Sequence, residues 1–233
     1  MIPFVLTGTI VPNAVLTVHA DFQQRRDEYL RAIKFYLGYG PVYFIENSEY
    51  PVFEDSFFTK TASLKTLQYP KSNGVTRGKG YQEFEMLDTF VSNHLMEDSF
   101  IKVTGRYVYK NIGDIAPRMV RQFSKGEIVI DLLFKEKKAI VSLFAVSKSY
   151  YTRYLKGAYQ DMDDSLGLWA EYVMYPRISQ TRAATFLQPA PVLQAVTGSM
   201  GQSINMSTKG FRPRFRDLKR WLFSMAGMRE LWV

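Results

Sequence analysis

The 233-residue chain contains no cysteine, which excludes a disulfide framework, a thiol nucleophile and any Cys-ligated zinc or iron–sulfur centre. It has two histidines, His19 and His94. They are too few for a His-rich metal site and a thin basis for a Ser-His-Asp triad. No apolar run reaches roughly 18 residues, so no helix is expected to span a bilayer. The opening MIPFVLTGTIVPN lacks the charged start of a secretion signal and reads as a strand. The expected compartment is therefore the cytoplasm. There is no internal repeat, and no G-x-G-x-x-G follows the first apolar run. Gly78-Lys79-Gly80 is followed by Tyr81, where a phosphate-binding P-loop needs Ser or Thr after Gly-Lys. These absences count against ordinary dehydrogenases and P-loop ATPases.

What is present is a globular composition, 46% apolar. The length suits one large domain or two small ones. The net charge is +8, from 30 basic and 22 acidic residues, and it is unevenly placed. Residues 209–233 hold Lys209, Arg212, Arg214, Arg216, Lys219, Arg220 and Arg229 against Asp217 and Glu230. The excess belongs to a tail, which argues for one localised anionic partner rather than a general nucleic-acid coat.

Residues 3–10 read as a buried strand. Asp21 is placed to cap a helix through Leu37, with Phe22, Tyr29, Ile33 and Tyr36 in helical spacing and Arg25, Arg26 and Lys34 on polar positions. Residues 42–45 and 64–69 form the next strands, followed by a glycine-bearing loop over 72–80. A helix over 81–95 and a strand over 100–103 complete an alternation that argues for an α/β, mostly parallel sheet flanked by helices. Residues 128–134 and 138–145 read as a hairpin turned by Lys135-Glu136-Lys137, making the sheet mixed. Ser147 opens a further helix, 165–175 is amphipathic, 186–210 is expected as a long mobile loop, and 214–228 as a basic amphipathic helix. The expected organisation is a domain over 1–208, with a nucleotide-binding half (1–111) and an acceptor half (112–208), and a tail over 209–233.

The βαβ pattern directs four loops to one sheet edge: Thr7-Gly8-Thr9, Glu46-Asn47-Ser48, the 72–80 loop with Lys79 and Gly80, and Thr104-Gly105-Arg106-Tyr107. Hydroxyls, glycine backbone, a carboxylate and two cations in one place suit a nucleotide. Gly8 permits close backbone approach, Glu46 or Asn47 can meet a ribose or base edge, and Arg106 can pair bidentately with a diphosphate. Each has a plainer reading: a strand exit, a turn, a solvated lysine, an arginine paired with a structural carboxylate.

The succession LTGTIVP, RRDEYLRAI, VYFIENS, GKGYQEFEML and IKVTGRYVYKN resembles small bacterial glycosyltransferases of surface-polysaccharide assembly, those of capsule, O-antigen or exopolysaccharide. The resemblance covers residues 4–111 and extends over 112–200 in outline. It implies a GT-A-like fold, a nucleotide-sugar donor and a growing glycan as acceptor. That fold usually carries an Asp-x-Asp motif for a divalent cation after the fourth strand. Thr104-Gly105-Arg106 stands there instead, so catalysis without a metal is expected, with Arg106 neutralising the leaving diphosphate. The rival is Mg²⁺ or Mn²⁺ on Asp161, Asp163 and Asp164, although Asp163 or Asp164 can equally cap a helix.

An inverting transfer needs a base. Glu171 sits on a late helix, where the resembling fold carries its base, yet it also reads as a surface charge. Asp131 interrupts an apolar strand and must be paired or functional. Glu83 and Glu85 are explained by a helix N-terminus. In the tail, Trp221, Leu222, Phe223, Met225 and Trp232 interleave with arginine and lysine, which suits the inner face of the plasma membrane and a lipid-linked acceptor. The alternative is a non-catalytic nucleotide- or nucleic-acid-binding module with a basic tail.

Overall fold

A computed structural model describes residues 2–12, 17, 18, 20–123, 126–181, 184–196, 203–206 and 211–232, with backbone alone at 196 and 211–213. His19, Lys209 and the side chain of Arg212 lie outside what is described. The first strand, β1 (Phe4–Gly8), is buried throughout and leads to α1 (Phe22–Leu37). The Asp21 carboxylate caps α1 by accepting from Gln24 N at 2.9 Å, as the sequence suggested. Strand β2 (Val42–Glu46), the short helix α2 (Ser56–Lys60) and β3 (Leu64–Gln68) follow. Next come α3 (Lys79–Asn93), β4 (Ser99–Thr104), β5 (Val108–Tyr109) and α4 (Ile112–Gln122). The hairpin is β6 (Ile128–Leu133) with β7 (Lys138–Ser147). Helix α5 (Lys148–Tyr150) continues as a π turn over Tyr151–Leu155, and α6 (Ala170–Ser179) precedes β8 (Ala184–Thr185), β9 (Leu193–Val196), β10 (Ser203–Asn205) and α7 (Phe211–Met225).

The main sheet has seven strands in the order β3-β2-β1-β4-β7-β6-β8. Strands β1 to β4 are mutually parallel where they pair, and β7 enters antiparallel between β4 and β6. This is the mixed, mostly parallel α/β sheet that the alternation implied. The period-2 pleat divides the core. Phe4 and Leu6 face the side covered by α1 and α4, with Ile33, Tyr36, Ile112 and Met119. Val5 faces the side covered by α3 and α6, with Phe84, Leu87, Phe90 and Met174.

Several expectations are corrected. The sequence reading left α2, β5 and α4 unassigned. Its loop over 186–210 contains β9 and β10, which join β5 in a second, three-stranded sheet; residues 197–202 and 207–210 lie outside the described part. The 165–175 helix starts later, at Ala170, because Asp164–Leu166 forms a 3-10 turn ended by Gly167 at φ +73°. Helix α7 is docked. The Arg220 guanidinium grips the buried Asp131 carboxylate bidentately, at 2.7 and 2.6 Å, and Asp217 accepts from Ala190 N at 2.7 Å. Beyond α7, Leu231 bonds the backbone of Leu132 and Phe134, and Trp232 stacks on Phe134 with ring centroids 4.2 Å apart.

Candidate functional site

Parallel pairing puts the C-terminal ends of β1, β2 and β4 side by side, with Gly8 opposite Glu46 and Thr7 opposite Thr104. Such strand ends are where open α/β sheets take ligands. Close approach here requires Gly105: a Cβ would stand 2.4 Å from Thr7 O.

The loop leaving β1 is held from beneath. The Glu46 carboxylate is fully buried and accepts from Ile10 N at 3.0 Å, Ser48 N at 2.8 Å and the Ser48 hydroxyl. Burial raises its proton affinity, and those donors oppose the rise. Thr9 Oγ1 donates to Asn47 Oδ1 at 2.7 Å, and Val11 N donates to Ser48 Oγ at 3.1 Å. From the helix side, Arg25 Nε reaches Thr9 O and Ile10 O at 3.1 and 3.2 Å. Glu46, Asn47 and Ser48 therefore form the bed of the Thr7–Thr9 loop and do not line the cleft above it.

That cleft is lined by Thr7, Gly8, Thr9, Arg25 and Tyr29 on one side and by Lys79, Gln82, Glu83, Thr104 and Arg106 on the other. Its recess of ≈ 100 Å³ is smaller than the roughly 300–1,000 Å³ of sites that engulf whole small ligands. It is the floor of an open site. Three cations face it. Arg106 is 8% exposed and pairs with Glu28 of α1 at 2.7 Å. Burial works against its charge, and Tyr29 and Glu28 more than offset this, so its pKa is raised. Burial lowers Arg25, with Arg106 adding to the effect. Lys79 is pushed down to about 8, first by burial and then by Arg25 and Arg106, against the pull of Asp164. Arg106 lowers the proton affinity of Arg25, and both arginines lower that of Lys79; three positive groups lining one hollow suit anionic oxygen. Gln82 Nε2 and Thr17 Oγ1, both in the lining, are buried without a hydrogen-bond partner among the described residues.

Beneath the floor lies a group the sequence reading missed. Lys102 is completely buried in the centre of β4. Its ammonium pairs with Glu83 Oε1 at 2.7 Å and donates to Thr104 Oγ1 at 3.0 Å and Val141 O at 2.9 Å. Thr7 and Thr104 hydroxyls also donate to Glu83 Oε1. Glu83, read from sequence as a helix-terminus charge, is thus a cleft residue. Glu171, in the first turn of α6, is mostly buried. Its pKa is raised, chiefly by burial and then by Glu83, while Lys102 opposes. Glu171, Glu83 and Lys102 are within electrostatic reach of one another.

Asp131 is not brought to this place. Its carboxylate accepts from Leu187 N at 3.0 Å and holds Arg220, at a register shift between Ile130 and Leu132. Its strand-interior charge is explained by pairing, not by the cleft. The three aspartates proposed as a cation site diverge. Asp161 pairs with Arg177 at 2.6 Å, Asp163 accepts from Ser165 N at 3.0 Å, and Asp164 accepts from Lys79 N at 2.8 Å, capping α3 from 85 residues away. Gly78, at φ +98°, is required there, since a Cβ would strike Asp164. Gly80 lies behind this cap against Ala170, outside the lining. The carboxylate chemistry at the end of β4 does not fit a divalent cation: Thr104, Gly105 and Arg106 supply no anionic oxygen, and Glu83 is held by Lys102. Among the described residues, no group of three or more acidic or His side chains converges as a metal site.

No protein-family model and no curated protein matches the sequence. Solved structures do. A putative glucose-1-phosphate thymidylyltransferase from Bacillus anthracis, solved in complex with a sucrose, superposes with TM-score 0.50 at 8% identity, covering 84% of this chain and 89% of that one. HddC from Yersinia pseudotuberculosis gives 0.42 at 11% identity over 64% and 78% of the two chains. The 4-diphosphocytidyl-2C-methyl-D-erythritol synthase from Anaerococcus prevotii gives 0.43 at 7% identity over 93% and 95%. The first of these shows the fold: the chain has the GT-A-like, mixed and mostly parallel α/β architecture of that structure. Among the described residues, no helix is long and apolar enough to cross a membrane.

Two of the missed residues carried a signal. Lys102 interrupts Phe100-Ile101-Lys102-Val103 as Asp131 interrupts its own strand. Arg25 falls on the buried stripe of α1 with Tyr29, Ala32, Ile33 and Tyr36. Gln82 carried none.

Proposed function

We propose that the chain transfers a sugar from a nucleotide-diphosphate donor to a hydroxyl of a growing, lipid-linked surface glycan, with protein cations in place of a divalent metal. The observation that carries this reading is the convergence of Arg25, Lys79 and Arg106 on one cleft at the ends of the parallel strands. The donor diphosphate lies against these three groups, with Thr7, Gly8, Thr9, Thr104 and the uncommitted amide of Gln82 along the rest of the nucleotide. For displacement with inversion, the acceptor oxygen attacks the anomeric carbon. The carbon–oxygen bond to the β-phosphate breaks, and the nucleoside diphosphate leaves with the electron pair, its charge met by the cations. The acceptor proton goes to Glu171, whose proton affinity burial has raised. The neighbouring Glu83 carboxyl adds to that rise. Helix α7 exposes Phe215, Leu218, Trp221, Leu222 and Met225 beside Arg214 and Lys219, which supports contact with an anionic membrane face.

The fold likeness to a thymidylyltransferase supports a second reading, nucleotidyl transfer. In it the same cations meet a triphosphate, and pyrophosphate departs. A thermal-shift screen of UDP-, GDP- and dTDP-sugars with and without chelator is the first test. Stabilisation by one donor that survives chelation is expected, and stabilisation by none overturns the reading. Product analysis separates the chemistries: a nucleoside diphosphate marks glycosyl transfer and pyrophosphate marks nucleotidyl transfer. Nucleotide binding with neither product marks a binding module.

A further inference from the structure

A second hollow lies at the far edge of the sheet, between α4, the chain leaving β8 and the end of α7. At ≈ 640 Å³ it exceeds the recess of the cleft, and no residue lines both. Strand β8 stands four positions from β1 in the sheet. At about 4.8 Å per strand this separates the two places by roughly 19 Å.

The hollow is lined by Arg118 and Arg121 of α4 and by Arg229, with no acidic residue in its wall. All three arginines are exposed. Among the described residues, no carboxylate lies within ion-pair distance of Arg118 or Arg229. Two further lining residues, Gln122 and Thr185, have buried polar atoms, Oε1 and Oγ1, with no partner among the described residues. Gln122 Nε2 donates to Phe186 O at 3.0 Å, which orients the amide and leaves the carbonyl oxygen as the atom in need of a donor. A buried acceptor left unmade is costly, and a ligand hydroxyl relieves that cost. The requirement is therefore double: negative groups for the guanidiniums of Arg118 and Arg229, in a wall that Arg121 makes more positive, and hydroxyls for an amide oxygen and a threonine. Carboxylated or phosphorylated sugars carry both. Single-stranded nucleic acid would need exposed rings for its bases, and the one ring in the lining among the described residues, Phe186, is buried.

We propose that this groove binds an anionic saccharide chain, its acidic groups on Arg118 and Arg229 and its hydroxyls on Gln122 and Thr185. The site stands apart from the donor cleft, and binding needs no nucleotide. If sugar transfer is the reaction, the groove holds the part of the acceptor already built.

The test is calorimetric titration of the full chain, without nucleotide, with an oligogalacturonate and with a maltooligosaccharide of equal length. The carboxylated chain is expected to bind with an affinity that falls as salt rises, and the neutral one to bind at least tenfold more weakly. The Arg118→Ser/Arg229→Ser variant, altered at exposed positions, should lose about 100-fold in affinity without a change in melting temperature. Thr185→Val should lose a few-fold. Equal binding of the neutral chain, or an unaffected double variant, overturns the proposal. So does an arginine-dependent affinity for phosphatidylglycerol vesicles or for single-stranded RNA with none for oligogalacturonate, each naming a different occupant. Oligogalacturonate binding alongside failure of every nucleotide sugar to stabilise the protein would remove the transfer reading and leave this site standing.

Discussion

Two arginine–carboxylate pairs among the described residues are largely buried, one at the middle of the sheet and one towards an edge. Arg106 with Glu28 stands at the ends of β1 and β4; Arg220 with Asp131 stands at the edge by β6. Both bond at 2.6–2.7 Å and both are largely hidden from water. Their surroundings differ. Asp131 is saturated by two guanidinium nitrogens and a backbone N–H, and Arg220 spends its remaining capacity on Leu187 O. That pair is a latch for α7. The Arg106 pair opens on a hollow that Arg25 and Lys79 also line. A buried charge is thus not a functional sign by itself; the balance of the surrounding groups decides what it is for.

This contrast can be broken deliberately. Asp131→Ala strands Arg220 and should cost about 3–5 kcal/mol of stability. Denaturant unfolding reads the loss, with donor affinity of the folded protein unchanged. A comparable fall in donor affinity would make the two pairs alike. Glu171→Gln, which alters the carboxyl coupled to Glu83 of the cleft wall, should lower turnover by roughly 10²–10⁴-fold with little change in donor affinity. Single-turnover kinetics beside equilibrium binding separates the two quantities.

Lys79 sharpens the comparison through pH. Its folded pKa of about 8 lies below the ordinary 10.5. Between these values the unfolded chain binds more protons than the folded one, so this group's penalty on stability, complete below pH 8, is relieved as pH rises. Anion binding runs the other way, because the ammonium is the attracting form. Donor affinity should fall as pH rises through 8. Lys79→Met should remove that dependence and cost about 1.5–3 kcal/mol of binding at pH 7, measured by titration across pH 6–10. The smallest effect is expected from Asp161→Asn, which releases an exposed pair with Arg177. Stability should move by less than about 0.5 kcal/mol, and the donor's thermal shift should stay insensitive to chelator. A new metal requirement in the wild-type shift would return the aspartate run to the cleft.

The parallel half of the fold was legible because its strands are short apolar runs with turn residues at their ends, and because Asp21 caps the helix it precedes. The late segments were less so. In α4, Ile112, Ile115 and Met119 keep the helical period, yet Gly113 and the interior Pro117 obscure it. Strands β9 and β10 lie among polar and small residues and exist by pairing, β10 with β9 and β9 with β5. At the site, Thr7 to Thr9, Lys79, Thr104 and Arg106 were foreseen because strand ends are the natural ligand edge. Glu46 to Ser48 were foreseen at the right place but support the loop from below. Asp164 capping a helix 85 residues earlier has no local signature, since a cap in trans is written in two distant stretches.

Lys102 is one polar tie between two parts of the chain that also share the core on the α3 side of the sheet. One ammonium answers to Val141 on β7 and to Glu83 at the mouth of the cleft. The hairpin and the cleft wall therefore cannot drift independently: a displacement of β7 tugs on the carboxylate opposite. A graft that exchanged residues 112–208 for those of another chain would have to carry this bridgehead with it or lose the alignment of the cleft wall.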